Sequence, residues 1–360
     1  MKAIKTTASS ALAKQINRSL ILDCLSKYAP LSRSDIARLT RLSPSTVSGI
    51  IDELIKAKFV LEIQSGPSTG GRKPILLGFN HSARMAIVVE VTVSMIRAAS
   101  VDLGGAIGLL SEIPSSDLST EELVGKILEV IARILARIPK RHREVVGVGI
   151  VIPGIVNTAE GLVIRSSRLN WTNVPLGKIV SREFSVPVLI ERDVRAAAYG
   201  ERIFGKAKGV SSFVYVTIGK GGIGAGIVID DNPYPGANMR AGELGHITVA
   251  LGGERCSCGN AGCLGTFIGG DVPDIQTDTL IEYCGAGIVN LVNLIDPEMV
   301  ILGGEYIDSI PGLATAIGEF VHNRVLPVPI DSLKVVPSEL GPKAYLLGMA
   351  SLVFNSILGA

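Results

Sequence analysis

The chain has no uninterrupted apolar run near the roughly 20 residues that a membrane-spanning helix requires. Its first 20 residues, "MKAIKTTASSALAKQINRSL", lack the continuous apolar core and cleavage site of a secretory signal. A cytoplasmic location is therefore expected. The cysteines do not suit a disulfide scaffold either: five is an odd number, Cys24 and Cys284 lie far apart, and the other three crowd near a histidine. Free thiols and a metal fit that distribution better. Apolar residues, in contrast, are plentiful at 47%, and 360 residues are enough for two or three domains with buried cores. A disordered chain would be far less apolar.

The net charge of +2 conceals an asymmetry. Residues 1–80 hold 12 Lys and Arg against 5 Asp and Glu, whereas residues 81–360 hold 23 against 28. A basic module in front of a mildly acidic body suits a polyanion partner for the first part alone. By charge alone, a solvated basic face would explain it equally well.

Pattern separates the two. In "RSLILDCLSKYAPLSRSDIARLTRLSPSTVSGIIDELIKAKFV" apolar residues recur at helical spacing in three segments. The first carries Leu20, Ile21, Cys24 and Leu25 and stops before Pro30. The second opens at Ser32 or Ser34 and carries Ile36 and Leu39. The third has Ser43 as N-cap, Pro44 at its first position and a buried stripe of Val47, Ile50, Ile51, Leu54 and Ile55. This is helix-turn-helix architecture, and "FVLEIQSGPSTGGRKPILLGFN" adds a strand, a glycine-rich turn and a second strand, which together form a wing. With the third helix in a major groove, Ser43, Ser45, Thr46 and Ser48 face the bases, and Arg72 and Lys73 at the wing tip face phosphates. Binding of double-stranded operator DNA by a homodimer or higher homo-oligomer follows, because paired modules read paired half-sites.

From residue 86 buried β-runs such as "AIVVEVTV", "VVGVGIVIPG", "SFVYVTIG" and "MVILGGE" alternate with helical stretches. The alternation implies an α/β body of two related lobes facing a cleft, where a small ligand would bind. Within it, His246, Cys256, Cys258 and Cys263 offer one nitrogen and three sulfurs, a closed tetrahedral set for structural Zn²⁺. The spacing departs from a common CxxC knuckle, and unmetallated buried thiols remain the other reading of these residues alone. Gly259 and Gly262 would let the loop turn between its sulfurs, with Leu264 packed beneath.

"GELGHITV" followed by "CSCGNAGCLG", with "VIPGIVN" and "RDVRAAAYGE" upstream and "LIDPEMVILGGE" downstream, resembles the ROK family of repressors and sugar kinases. The likeness covers nearly all of residues 81–360. With the winged module in front, the chain looks like the family's regulators of xylose or N-acetylglucosamine repressor type. The resemblance implies a winged helix-turn-helix over 1–80, then a two-lobed actin/hexokinase-like (ribonuclease H-like) body. Its first lobe would take 81–192 with 345–360, and its second, carrying the zinc site, 193–344. It also implies effector contacts from Gly154, Asn170, Asp193, Glu243 and His246, with Asp193 at the position of the kinases' catalytic base, and a metal loop that shapes the sugar pocket.

The sequence departs from a working kinase of this family in several places. Glu90 stands where the first phosphate loop has an aspartate, and Val91 and Val93 stand where glycines would admit phosphates. Arg192 and Arg195 flank Asp193 and either favour its charge or tie it up. Gly304 could still back an adenine, although a tight turn explains it as well. Gly265 occupies the place of a sugar-binding glutamate, so the pocket must differ. The expectation is a repressor controlled by a sugar, polyol or sugar derivative, with no kinase activity. The alternatives are a sugar kinase with a DNA-binding arm and a DNA-binding protein whose pocket is dead.

Overall fold

A computed structural model describes residues 10–65, 74–138, 144–269, 276–327 and 333–358. Helix α1 (Ser10–Tyr28) leads into α2 (Arg33–Thr40) and α3 (Pro44–Lys56). Ser32 caps α2 by accepting the Asp35 amide, and the Asp35 carboxylate returns to the Ser32 amide, so two otherwise orphaned donors are satisfied. That carboxyl is held below its ordinary value mainly by the Ser32 hydroxyl. Ser43 caps α3 by accepting the Thr46 amide at 3.1 Å, with Pro44 in the first turn.

The three helices bury Ile21, Leu25, Ile36, Val47, Ile50, Ile51 and Leu54 in one core. Two leucines expected on buried faces are outside it: Leu20 is 41% and Leu39 50% exposed. Leu20 lies one residue off the Ile21–Cys24–Leu25 stripe, about 100° round the helix. Leu39 stands on the last turn of an eight-residue helix that meets the core through Ile36 and Ala37. Strands β1 (Val60–Ser65) and β2 (Ile75–Phe79) pair antiparallel as the wing, and Leu31 adds a bridge to Leu77. Arg72 and Lys73 lie outside the described residues.

The body begins with β3 (Arg84–Val91), β4 (Met95–Asp102), β5 (Ile107–Pro114), α4 (Thr120–Arg137) and β6 (Glu144–Ile152). A small antiparallel sheet of β7 (Ile155–Asn157), β8 (Leu162–Ser166) and β9 (Trp171–Val174) follows, then α5 (Leu176–Glu183), β10 (Val188–Arg192) and α6 (Asp193–Phe204). The remainder comprises β11 (Phe213–Gly219), β12 (Gly222–Ile229), β13 (Asn232–Pro233), α7 (Gly265–Ile268), α8 (Thr277–Ile295), β14 (Met299–Gly303), α9 (Glu305–Ser309), α10 (Leu313–His322), β15 (Lys334–Pro337) and α11 (Lys343–Leu358).

Two five-stranded sheets result, ordered β10-β6-β3-β4-β5 and β15-β14-β11-β12-β13. They share one plan: an antiparallel meander on one side and parallel strands on the other. Strand periodicity sorts the side chains. In β3, Ile87, Val89 and Val91 enter a core with α4, while Ala86 and Val88 enter a core with α11. In β11, Val214, Val216 and Ile218 pack with α8 and α10, while Phe213 and Tyr215 meet α6.

Helices α6 and α11 fill the space between the sheets. Ala196 packs in the core of Ala86 and Val88, and its neighbours Ala197 and Ala198 pack with Phe213 and Val228 of the second sheet. The fully buried carboxylate of Glu201 ties the end of α6 to the approach of α11. It accepts the Lys206 amide at 2.9 Å, the Leu340 amide at 3.1 Å and the Ser338 hydroxyl.

The winged module is fastened to the first sheet through Arg84. Its guanidinium lies 4.9 Å over the Phe59 ring and 3.0 Å from Glu144, and donates to the Ala57 carbonyl at 3.3 Å. Among the described residues no helix is long and apolar enough to cross a membrane.

Candidate functional site

Strand β10 delivers Arg192, and α6 begins at Asp193, on the floor of a cleft of about 790 Å³. One wall carries Gly154 after β6, another carries the Gly221–Gly222 turn between β11 and β12, and the cysteine loop closes a third side. Gly154, Asp193, Glu243, His246 and Gly265 all line this space. Asn170 does not. It stands exposed in a left-handed turn (φ 53°) before β9, a conformation that asparagine adopts more readily than most residues.

Of the two arginines that flank Asp193, only Arg192 lies near its carboxylate. Arg195 turns to Glu191, with Nε donating to Oε1 at 2.7 Å, and Thr158 completes the pair by donating to Glu191 Oε2 at 3.2 Å. Arg192, 6% exposed, gives Nη2 to Glu243 Oε1 at 2.8 Å and Nη1 to the Ala241 carbonyl at 3.0 Å. Its Nε has no hydrogen-bond partner and lies 4.0 Å from Asp193 Oδ1. Asp193 therefore keeps an oxygen free for the cleft while Oδ1 accepts the Val194 amide at 2.8 Å. Glu191 was hidden from sequence reasoning, since its role depends on the i, i+4 reach of Arg195 once β10 passes into α6.

The loop from Gly242 to Gly265 brings four donors together. The ligand atoms of His246, Cys256, Cys258 and Cys263 all lie within 4.8 Å of one another. Cys256 Sγ is 3.6 Å from His246 Nδ1, and Cys258 Sγ is 3.6 Å from Cys263 Sγ. Ligands 2.0–2.3 Å from a tetrahedral zinc are separated by about 3.5–3.8 Å, so the donor set fits a metal of that kind. All five cysteines are free. The Asn260 amide holds the Cys258 thiol below its ordinary value, whereas burial pushes Cys263 up to about 12. Gly259 and Gly262 adopt φ 95° and 68°, and Leu264 is fully buried below the loop. His246 uses Nδ1 towards the cysteines and leaves Nε2 3.8 Å from Glu243 Oε2. Gly265 opens α7 with its Cα facing the Gly245 carbonyl, and a Cβ there would come to 3.1 Å of that oxygen.

At the other end of the chain, the Ser43 hydroxyl lies 2.9 Å from that of Ser45 and 2.8 Å from that of Thr46. Ser43 and Ser45 are exposed, and Thr46 and Ser48 are half-buried. Gly49, one turn on, has open space where a side chain would be, so the outer face of α3 admits a close partner. Arg41, exposed and left-handed at φ 58°, stands beside this face as an additional cation. Neither residue drew attention in the sequence, because an isolated glycine or arginine in a helical pattern carries no signal of its own.

The sequence model of the ROK family matches residues 86–272 and 274–356, and that of the MarR family matches residues 14–65. The chain belongs to the ROK family. It is 32% identical to the xylose repressor of Bacillus spizizenii over 98% of both chains. A solved ROK family transcriptional regulator, described as a homologue of the E. coli MLC protein, superposes with TM-score 0.81 at 26% identity over 96% of both chains. A ROK family glucokinase from Streptomyces griseus, solved with glucose and AMPPNP, gives TM-score 0.66 at 25% identity, covering 74% of this chain and 98% of that one. The body thus has the kinase-like fold, and this ROK protein extends beyond the glucokinase by about the length of its winged module.

The first turn of this ROK body corrects one expectation. Val91 is buried among Ile87 and Val89 and faces away from the cleft, so only Val93, 50% exposed, can crowd an approaching group. The turn is closed by its own Thr92, which accepts the Met95 amide at 3.1 Å and donates to its carbonyl at 2.9 Å. Glu90, its side chain 13% exposed, lies 3.4 Å from Arg97, and desolvation raises its carboxyl to about 7, with Asp193 adding a smaller push. Nearby, Thr217 of β11 shares a 3.0 Å hydrogen bond with Tyr345 of α11 across the two halves.

Proposed function

We propose that this ROK protein is a transcriptional repressor of carbohydrate-use genes, which binds operator DNA through α3 and its wing and is controlled by a carbohydrate in the cleft. The observation that carries the reading is the union, in one chain, of a winged helix-turn-helix with a ROK body, alike over 98% of its length to a xylose repressor. Ser43, Ser45, Thr46 and Ser48 would meet base edges, with Arg41, Arg72 and Lys73 on phosphates. A homodimer would present two such helices to two half-sites.

Effector binding acts only through unequal affinity for two arrangements of the molecule. The contacts of Arg84 with Ala57 and Phe59, just after α3, and of α6 and α11 with both sheets give such a change a physical route to α3. Asp193 and Glu243 supply acceptors for effector hydroxyls, and the loop that carries Glu243 and His246 sets their position.

His246, Cys256, Cys258 and Cys263 would hold a structural Zn²⁺. Bound there, it supplies cross-linking and no chemistry, since four protein ligands leave no open position. Metal analysis should find about one zinc per chain, and Cys258→Ser should lose it together with stability.

Phosphoryl transfer is not part of the reading. Catalysis of that reaction rests on positioning the phosphates, and the β3–β4 turn carries the half-exposed side chain of Val93 and a Thr92 hydroxyl already bonded to Met95. The test measures binding of the chain to DNA from its own promoter region while a sugar panel is added with ATP. Sugar-dependent change in DNA affinity without ADP formation supports the reading. Rapid sugar phosphorylation with unaltered DNA binding would favour the kinase.

A further inference from the structure

The cleft's lining charges are unbalanced in a way that bears on what it holds. Five arginines, Arg165, Arg168, Arg192, Arg240 and Arg255, face it against two carboxylates, Asp193 and Glu243. The one close ion pair among them consumes Arg192 and Glu243. The guanidinium groups of Arg165, Arg168 and Arg240 make no ion pair or hydrogen bond among the described residues, and that of Arg255 makes only a 3.4 Å contact with the Gly259 carbonyl.

A guanidinium offers five donors and no acceptor. A neutral sugar needs both, because each hydroxyl donates as well as accepts, and the unbonded acceptors on charged side chains here reduce to one oxygen of Asp193 and one of Glu243. An acceptor-only group, a phosphate or a carboxylate, is what such a lining matches, with planar forks able to bind two oxygens at once. The concave walls also focus the positive potential.

The position of Arg168 is the most specific feature. It follows β8 of the first half, yet its guanidinium lies against the Gly221–Gly222 turn of the second, so that a methyl group at Gly221 would collide with it. An arginine from one half thus reaches the backbone of the other across the cleft mouth, where a shared anion would hold both.

We propose that the effector is an anionic carbohydrate, a sugar phosphate or a sugar acid, whose charged group is received by Arg168 together with Arg165, Arg240 and Arg255. This rests on the reading of the cleft as an effector site. Charge selects the ligand class, and Asp193 and Glu243 orient its hydroxyls.

The test uses the full chain in calorimetric titrations at two salt concentrations. Pentoses and hexoses are each offered as the neutral sugar, the terminal phosphate and the aldonic or uronic acid, beside inorganic phosphate and AMP-PNP. The best anionic sugar should bind roughly 10- to 100-fold more tightly than its neutral parent, the gain expected of charge-assisted bonds, and should weaken as salt rises. Phosphate and acid arms then tell the two sources apart, and inorganic phosphate should compete weakly. Arg168→Gln should lose most of the advantage. Arg240→Gln, on an exposed segment, gives the same reading should the first variant fold poorly.

A neutral sugar that binds as tightly as its anionic forms, or an anionic advantage that survives both substitutions, would overturn the proposal while leaving the repressor reading intact. AMP-PNP bound as tightly as any sugar would overturn it in favour of a nucleotide site. No sugar bound and no sugar effect on operator binding would sink the effector reading and the proposal together.

Discussion

Removing the largely desolvated carboxyl of Glu90 should abolish part of the protein's pH dependence. Glu90 lies near the floor of the cleft, with Arg97 at 3.4 Å and Asp193 close enough to oppose its ionisation, and its carboxyl is raised from 4.5 to about 7. Between those values the unfolded chain has released the proton and the folded chain still holds it. Stability is therefore full below pH 4.5, falls as pH rises, and levels off above about 7. From the ordinary and raised values, the loss between pH 5 and pH 8 is about 2–3 kcal/mol. Glu90→Gln keeps the shape and removes the titration. Urea denaturation of both proteins at pH 5 and pH 8 should show the variant gaining about 2–3 kcal/mol on the parent between the two pH values. A stability difference that is the same at both would refute the argument that burial outweighs Arg97 at this carboxyl.

Three further outcomes follow from particular contacts. Glu243→Gln leaves the Arg192 guanidinium without its carboxylate in a nearly closed setting; with Glu243 itself 29% exposed, the loss should be about 1–3 kcal/mol, read by thermal unfolding. Ser43→Ala removes the α3 cap and should cost about 1 kcal/mol, with weaker operator binding in a gel-shift titration. Arg84→Gln loosens the joint between the winged module and the first sheet. It should leave operator binding measurable while blunting its response to sugar.

Much of this molecule was legible in the sequence because local signals agreed with each other. Ser32 and Ser43 announced their helices, and the helical stripe of Val47, Ile50, Ile51 and Leu54 became the core of the winged module. The convergence of His246, Cys256, Cys258 and Cys263 was equally plain, since four such donors within 18 residues have few other partners to meet. Leu20 and Leu39 misled because periodicity marks a face without saying how far the neighbouring helices reach along it.

The charges round Asp193 were the least legible. Which carboxylate each arginine finds depends on side-chain direction, and Arg195 faces back along α6 to Glu191 while Arg192 crosses to Glu243. Arg168 is the same lesson on a larger scale, 53 residues from the glycine turn it touches. No periodicity predicts that approach, which exists only once the two sheets face each other.

The most direct test of a repressor governed by its cleft is one titration with two readouts. Fluorescence anisotropy would follow the full chain on labelled operator while a carbohydrate is added in the presence of ATP, and ADP would be assayed in the same sample. A shift in operator affinity of tenfold or more with no ADP above background is the predicted result. Steady ADP release with operator affinity unmoved by any sugar would contradict it.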